Sequence, residues 1–355
     1  MIRIACALQF HASVFPLRYH RRAINRRGID IRFLPSLDVS DACALRGFDY
    51  IFLSNRFYGT RFGLEQVRAL STLGNKVYWF DETASTGTTN FEVLPFVHAY
   101  LKRQLLRDTA RYSEPWYRRR IYTDYYHRKF GVSDTDPHYT ETALSSEHAH
   151  KLGVYWNLAY KDYRSSFRRL RTYVRNMTAL PILPAPRLRE PSSGRRDIDV
   201  FARMSVKTFA PSVGYQRREM LRMLDAIDGN GVKVAHRGTV PKKEYERELA
   251  VSRTVVSPFG WGEICYRDFE AMLNGACLIK PDVSHLTTWP DVFVANKTYL
   301  PCSWDLSDFP GVVQRALEGN AASEMAAAAQ NVLKAYIGER GAAPFVSRLQ
   351  TLLTA

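Results

Sequence analysis

Ser257 to Pro281 reads SPFGWGEICYRDFEAMLNGACLIKP and sets a strand end, a glycine-bracketed loop and a helix in unbroken order. Arg253 to Ser257 (RTVVS) is an apolar strand that stops at Pro258, and Gly260 and Gly262 let the backbone turn sharply where a side chain would obstruct a ligand. Glu263 then opens a helix, with Arg267 four residues on and Glu270 three beyond. That spacing predicts two carboxylates and a guanidinium on one helical face, converging on a small-molecule site.

Outward from this stretch the same alternation continues. On the C-terminal side of the chain, Asp199–Met204, Val232–Ala235 and Leu278–Lys280 read as strands, and Arg217–Ile227, Tyr245–Val251, Asp308–Leu317 and Ala321–Ala335 as helices. On the N-terminal side, Ile2–Leu8, Ile29–Leu34, Tyr50–Ser54 and Lys76–Phe80 are strands, with helices near Leu17–Arg27 and Gly63–Leu73. Strands alternating with helices give parallel, doubly wound sheets, so the fold class is α/β: two Rossmann-like domains facing across a cleft. The expected division is an N-terminal domain over 1–180, a Pro-rich linker over 181–196, a second domain over 197–335, and a last segment, 336–355, crossing back to the first domain. Between Glu92 and Arg175 the first domain carries a basic, aromatic and helical elaboration, including HAYLKRQLLRD, PWYRRRIYTDYYHRK and YRSSFRRLRTYVR. No G-x-G-x-x-G follows the first strand and no Walker-type lysine loop occurs, which counts against dehydrogenase and P-loop chemistry.

With 355 residues, 46% apolar and 24% charged, the chain is long enough for two cores. The net charge of +15 is wholly N-terminal: residues 1–196 carry 32 Lys and Arg against 17 Asp and Glu, and residues 197–355 carry 18 against 18. Such asymmetry provides a field for an anionic partner, whether a phosphorylated lipid, an acidic glycan or a nucleic acid. Five scattered cysteines without a C-x-x-C pair argue against a disulfide framework and a structural zinc site, and fit a reducing cytoplasm. The N-terminal apolar run is too short for a signal peptide and no segment suits a membrane span, so the expected location is cytoplasmic, with any contact at the inner membrane face peripheral.

Arg267 to Gly275, RDFEAMLNG, resembles the R-x-F-E-A-x-x-x-G signature of group-one GT-B glycosyltransferases, and the resemblance covers about 140 residues from Asp197. It implies a nucleotide-diphosphate sugar as donor substrate, no other cofactor and no metal. By position Glu270 takes the ribose hydroxyls, while Arg203, Lys207 and Arg237 are candidates for the diphosphate, a role that Arg267 also fits by its charge. The turn at Trp261 and Gly262 offers backbone N–H groups, Trp261 and Tyr266 can flank a base or sugar, and His285 can line the donor pocket. Retaining members place a second glutamate eight positions before the first; here Gly262 stands there, with Glu263 one residue later as the candidate contact to the donor sugar.

Prepositioned guanidinium groups suit this chemistry in their own right, because a departing nucleoside diphosphate gains negative charge. An inverting reaction also needs a base for the acceptor hydroxyl, for which Asp81, after the strand KVYWF, and His11, after the first strand, are the candidates. Asp197 and Asp199 mimic a D-x-D metal motif but enter a strand, where side chains alternate faces. The expected acceptor is a glycan or lipid-linked saccharide. Modified DNA bases are the alternative acceptor, and a sugar-nucleotide epimerase or a noncatalytic glycan- or nucleotide-binding module are the alternative functions.

Overall fold

The computed structural model describes residues 1–7, 13–34, 45–55, 63–140, 142–161, 163, 187–191 and 196–354. Strands β1 (Ile2–Cys6), β2 (Ile29–Phe33), β3 (Tyr50–Ser54), β4 (Lys76–Asp81), β5 (Ala99–Lys102) and β7 (Leu152–Val154) form a parallel sheet in the order β2-β1-β3-β4-β5-β7. The described helices around it are α1 (Val14–Tyr19), α2 (Arg21–Arg26), α3 (Leu64–Ser71) and α4 (Ile121–Phe130). Gly28, at φ 73°, ends the α2 segment as the sequence suggests, in a left-handed turn that favours glycine.

The second sheet is also parallel, in the order β13-β11-β10-β8-β9, from β8 (Ile198–Phe201), β9 (Val234–Ala235), β10 (Ser252–Val256), β11 (Cys277–Pro281) and β13 (Leu300–Cys302). Helices α5 (Pro211–Ile227), α6 (Lys242–Ala250), α7 (Tyr266–Leu273), α8 (Phe309–Leu317) and α9 (Ala321–Leu333) surround it. Two doubly wound sheets are therefore present, as the periodicity implies.

Both sheets are buried on both faces. Along β3 and β4, Ile51, Leu53, Val77 and Trp79 point to one core and Tyr50, Phe52, Tyr78 and Phe80 to another, the two-residue period of a strand covered on either side. Helix α10 (Ala342–Thr354) supplies Phe345, Val346 and Leu349 to the second of these cores, and Tyr50 Oη donates to the Leu353 carbonyl at 2.8 Å. The end of the chain thus packs on the first sheet.

One local expectation changes. HAYLKRQLLRD is not helical: it forms β5 and then β6 (Gln104–Leu106), because Tyr100, Leu101 and Lys102 are buried in a strand flanked by β4 and β7, where no exposed face gives a period away. Strand β6 pairs antiparallel with β12 (Leu286–Thr288), a two-stranded ribbon joining the two halves of the molecule. In the linker, Arg189 N–H donates to the Leu273 carbonyl and Arg196 to the Ser252 and Asn274 carbonyls, so the described linker residues are fastened to the second domain. The YRSSFRRLRTYVR stripe lies outside the described residues apart from Tyr163.

Candidate functional site

In the second sheet the chain runs from β8 to β9 on one side and returns to β10 on the other, so the carboxyl ends of β8 and β10 are its topological switch point, where open α/β sheets bind ligands. Two loops border this crevice: residues 202–210 after β8 and residues 257–265 after β10. Arg267 joins them, its Nη2 donating to the Arg203 carbonyl at 2.6 Å.

Helix α7 begins at Tyr266, three residues later than the sequence suggests. Cys265 is extended (φ −130°, ψ 171°), and Asp268 completes a capping box with it, so C-x-x-D and not Glu263 sets the start. Glu263 therefore lies in the preceding loop and does not share a helical face with Arg267 and Glu270. Asp268 is doubly used: it accepts from Lys280 Nζ at 2.6 Å and from Ser257 Oγ at 2.6 Å, pinning the helix start to β11 and the end of β10.

Glu263 is buried against the other half of the molecule. Its carboxylate accepts from the Thr86 N–H at 3.0 Å and from Ser85 Oγ at 3.4 Å, and its carbonyl accepts from Lys280 Nζ at 2.7 Å. Burial raises its pKa above the ordinary carboxylate value. Gly262 is the tightest point of this seam, because a Cβ there would overlap the Ala84 carbonyl. The glycine expected to admit a ligand admits the loop after β4 instead. Tyr122 Oη donates to the Gly260 carbonyl at 2.7 Å across the same seam. The carboxyl edges of the two sheets thus face each other.

Among the expected cations the structure separates two kinds. Arg203 is held by Glu248, Nε to Oε2 and Nη2 to Oε1 each at 2.8 Å, and Arg237 is an exposed partner of Asp225 at 3.1 Å. Lys207 is exposed and lines, with Ser205, Asp225, His236, Arg237 and Thr239, a cavity of about 390 Å³ beyond the ends of β8 and β9. Arg267 and a residue that the sequence reading passed over, Arg217 of α5, are different. Arg217 donates to the Phe259 carbonyl at 2.9 Å and the Ser205 carbonyl at 3.2 Å. Neither it nor Arg267 has a carboxylate at ion-pair distance among the described residues. Burial, with the nearby charge of Arg267, lowers the Arg217 pKa to about 10. For Arg267, burial opposes the charge, but Tyr245, Cys265 and Glu270 outweigh it and hold the pKa above its ordinary value. The Arg267 Nε is buried without a hydrogen-bond partner. Arg217 was missed because an arginine in a helix with an apolar stripe reads as surface; only the fold turns it under the loop, where a Cβ on Gly260 would meet its Nη2 at 2.8 Å.

Glu270 accepts a 3.0 Å hydrogen bond from Tyr245 Oη, whose pKa burial pushes up to about 12. Trp261 is half exposed and packs on Phe209, while Tyr266 is exposed with Lys161 Nζ 3.1 Å from its ring centre. His285 stands apart, at the bridging ribbon, beside a cavity of about 280 Å³ with Leu106, Arg107, Asp108 and Arg111; burial lowers its pKa to about 4.

Of the two candidate bases, Asp81 is fully buried and engaged on both oxygens. Oδ2 accepts from Lys102 Nζ at 2.7 Å and Tyr100 Oη at 2.5 Å, and Oδ1 accepts from the Thr83 N–H at 2.8 Å and Thr83 Oγ1 at 2.6 Å. Lys102 also donates to the Thr88 carbonyl, so this buried pair ties down the loop that meets Glu263. His11 lies outside the described residues. Among the described residues no three His, Cys, Asp or Glu side chains gather as a metal site, and no helix is long and apolar enough to cross a membrane.

No family model matches the chain, and no curated protein does. Solved structures resemble it over its whole length. The lipopolysaccharide outer core galactosyltransferase WaaB is 10% identical, with 99% of each chain covered and a TM-score of 0.48. The sucrose-phosphate synthase from Thermosynechococcus elongatus is 10% identical, covering 100% of this chain and 99% of its own, also at 0.48. S. aureus MnaA, solved with UDP, is 9% identical, covering 100% and 98%, at 0.42. The fold assignment rests on the chain's own strand order.

Proposed function

We propose that this protein is a glycosyltransferase that holds a nucleoside-diphosphate sugar at the switch point of its second sheet and transfers the sugar to a glycan or lipid-linked saccharide held by the basic first domain. One observation carries the reading. Two guanidinium groups, the buried Arg217 and the half-buried Arg267, lie under the loop after β10 with backbone carbonyls as their hydrogen-bond acceptors and no carboxylate at ion-pair distance from either among the described residues. Cations with no carboxylate in direct contact, and only the more distant charge of Glu270 acting on Arg267, favour an anion, and a diphosphate is the anion this crevice suits.

The chemistry follows from the same placement. As the bond from sugar to diphosphate breaks, charge accumulates on the departing oxygens, and guanidinium groups fixed beforehand stabilise it without reorganising. Lys207 and Arg237, at the outer cavity, meet the phosphates from the solvent side. Glu270, oriented by Tyr245, offers acceptor oxygens to the ribose hydroxyls. Asp81, bound to Lys102, positions the loop at the seam, and the proton acceptor for an inverting reaction is then His11.

Thermal unfolding with a panel of nucleotides tests the reading, since a ligand that binds the folded state raises its melting temperature. Uridine or guanosine diphosphate should raise the melting temperature of the wild type, and the shift should be lost in Arg217→Met and Arg267→Met. A wild-type protein that responds to no nucleoside diphosphate would overturn the proposal.

A further inference from the structure

A row of alternating cations and rings crosses the seam beside the switch-point crevice. The Arg120 guanidinium lies 5.6 Å from the Trp261 ring centre and its Nε donates to the Trp261 carbonyl at 3.3 Å. Trp261 packs on Phe209 with ring centres 5.0 Å apart, and the Arg217 guanidinium lies 4.4 Å from the Phe209 ring. One end of the row is the first domain and the other is the buried Arg217. Trp261 is 51% exposed in the middle of it.

The arginines at the open end are not consumed by the protein. Arg120 donates to the carbonyls of Trp261 and Arg118, and Arg119 to the Thr89 carbonyl at 2.9 Å; neither has a carboxylate at ion-pair distance among the described residues. Arg118, by contrast, pairs with Asp134 at 3.4 Å. The backbone here is strained: Arg118 and Arg119 have φ of 53° and 56°, in the left-handed region that side chains other than glycine's avoid. Packing maintains the strain, because Gly87 sits so close that a Cβ on it would press on Trp116 and the Arg119 carbonyl, and Thr88 Oγ1 donates to that carbonyl at 3.1 Å. Strain of this kind persists where the surroundings over-determine it, and it concentrates at sites that hold ligands.

From this geometry we infer that Trp261 and Arg120 form the acceptor subsite, and that the acceptor is a saccharide bearing a carboxylate or phosphate near the sugar ring that lies on the indole. The inference rests on the donor reading above and names the acceptor class for it. An exposed indole offers an apolar face to the C–H side of a sugar ring. A planar guanidinium with free N–H groups grips an acidic substituent two-pronged. The excess of positive charge in residues 1–196 supplies the long-range attraction.

The probes are acidic oligosaccharides, oligogalacturonate and oligosialate, against neutral maltotetraose, followed by calorimetry and tryptophan emission at low and high salt. Acidic oligosaccharides should bind the wild type in a salt-sensitive manner and maltotetraose should not. Trp261→Ala and Arg120→Met should each weaken that binding about tenfold, while uridine and guanosine diphosphate bind as before and Trp261→Phe keeps part of the affinity. Failure of the wild type to bind either acidic probe, or binding unchanged in both variants, overturns the subsite. So does an equal loss of nucleotide affinity in Trp261→Ala, which would give the indole to the donor base. Failure of the donor reading appears separately, as a wild type that binds no nucleotide while the saccharide titration remains readable.

Discussion

The loop after β4 and the loop after β10 meet at one seam, yet they treat buried charge in opposite ways. Behind the first, Asp81 and Lys102 neutralise each other at 2.7 Å, and the neighbouring hydroxyls and carbonyls use up their remaining hydrogen-bonding capacity. Behind the second, Arg217 and Arg267 lie near one another and donate to backbone carbonyls, with Glu270 acting on Arg267 only from beyond ion-pair distance. A compensated pair stabilises a conformation. On the proposed reading an anionic ligand brings further opposite charge to the second pair, so that the first loop serves as scaffold and the second as binding site.

The largest effect that would sharpen this contrast is on folding. Lys102→Met leaves the Asp81 carboxylate buried without its counter-charge, held only by the Tyr100 and Thr83 hydrogen bonds, and should lower the unfolding free energy by about 3–5 kcal/mol in a urea titration. Arg267→Met removes a cation with no partner carboxylate; its unfolding free energy should change far less, while its affinity for uridine or guanosine diphosphate falls by roughly 10- to 100-fold, as loss of a charged hydrogen bond of about 1.5–3 kcal/mol implies. If Arg267→Met unfolds as readily as Lys102→Met, the contrast fails. Next in size is Gly262→Ala, where the added methyl overlaps the Ala84 carbonyl; a loss of about 1–3 kcal/mol, with faster exchange of the Thr86 amide, is expected from overpacking the seam. The smallest effect is in pH dependence. Because Glu263 has its pKa raised by burial, the stability it contributes is complete below the ordinary carboxylate value and is lost as pH rises through the raised folded value. Glu263→Gln should flatten that decline in melting temperature towards neutral pH, leaving the acid side unchanged.

The sheet-forming strands were legible where apolar runs are bounded by Gly, Pro or Asn, as at Tyr50–Ser54 and Ser252–Val256. They were hidden where charge interrupts them: Lys102 belongs to a buried strand only because Asp81 waits one strand away, 21 residues earlier in the chain. In the site, Arg267 and Glu270 stood out because they share a helix with a recognisable pattern, whereas Glu263 was assigned to that helix and is held instead by Ser85 and Thr86. Arg217 carried no local signal at all.

Sequence by itself determined the periodicities, and with them two parallel sheets and the side of the chain that carries the excess positive charge, since each depends on neighbours within a few residues. Only the tertiary structure decided which charges are compensated. Compensation depends on distances of a few ångströms between residues tens to hundreds of positions apart, and a single buried carboxylate beside an arginine changes it from a binding group into a brace.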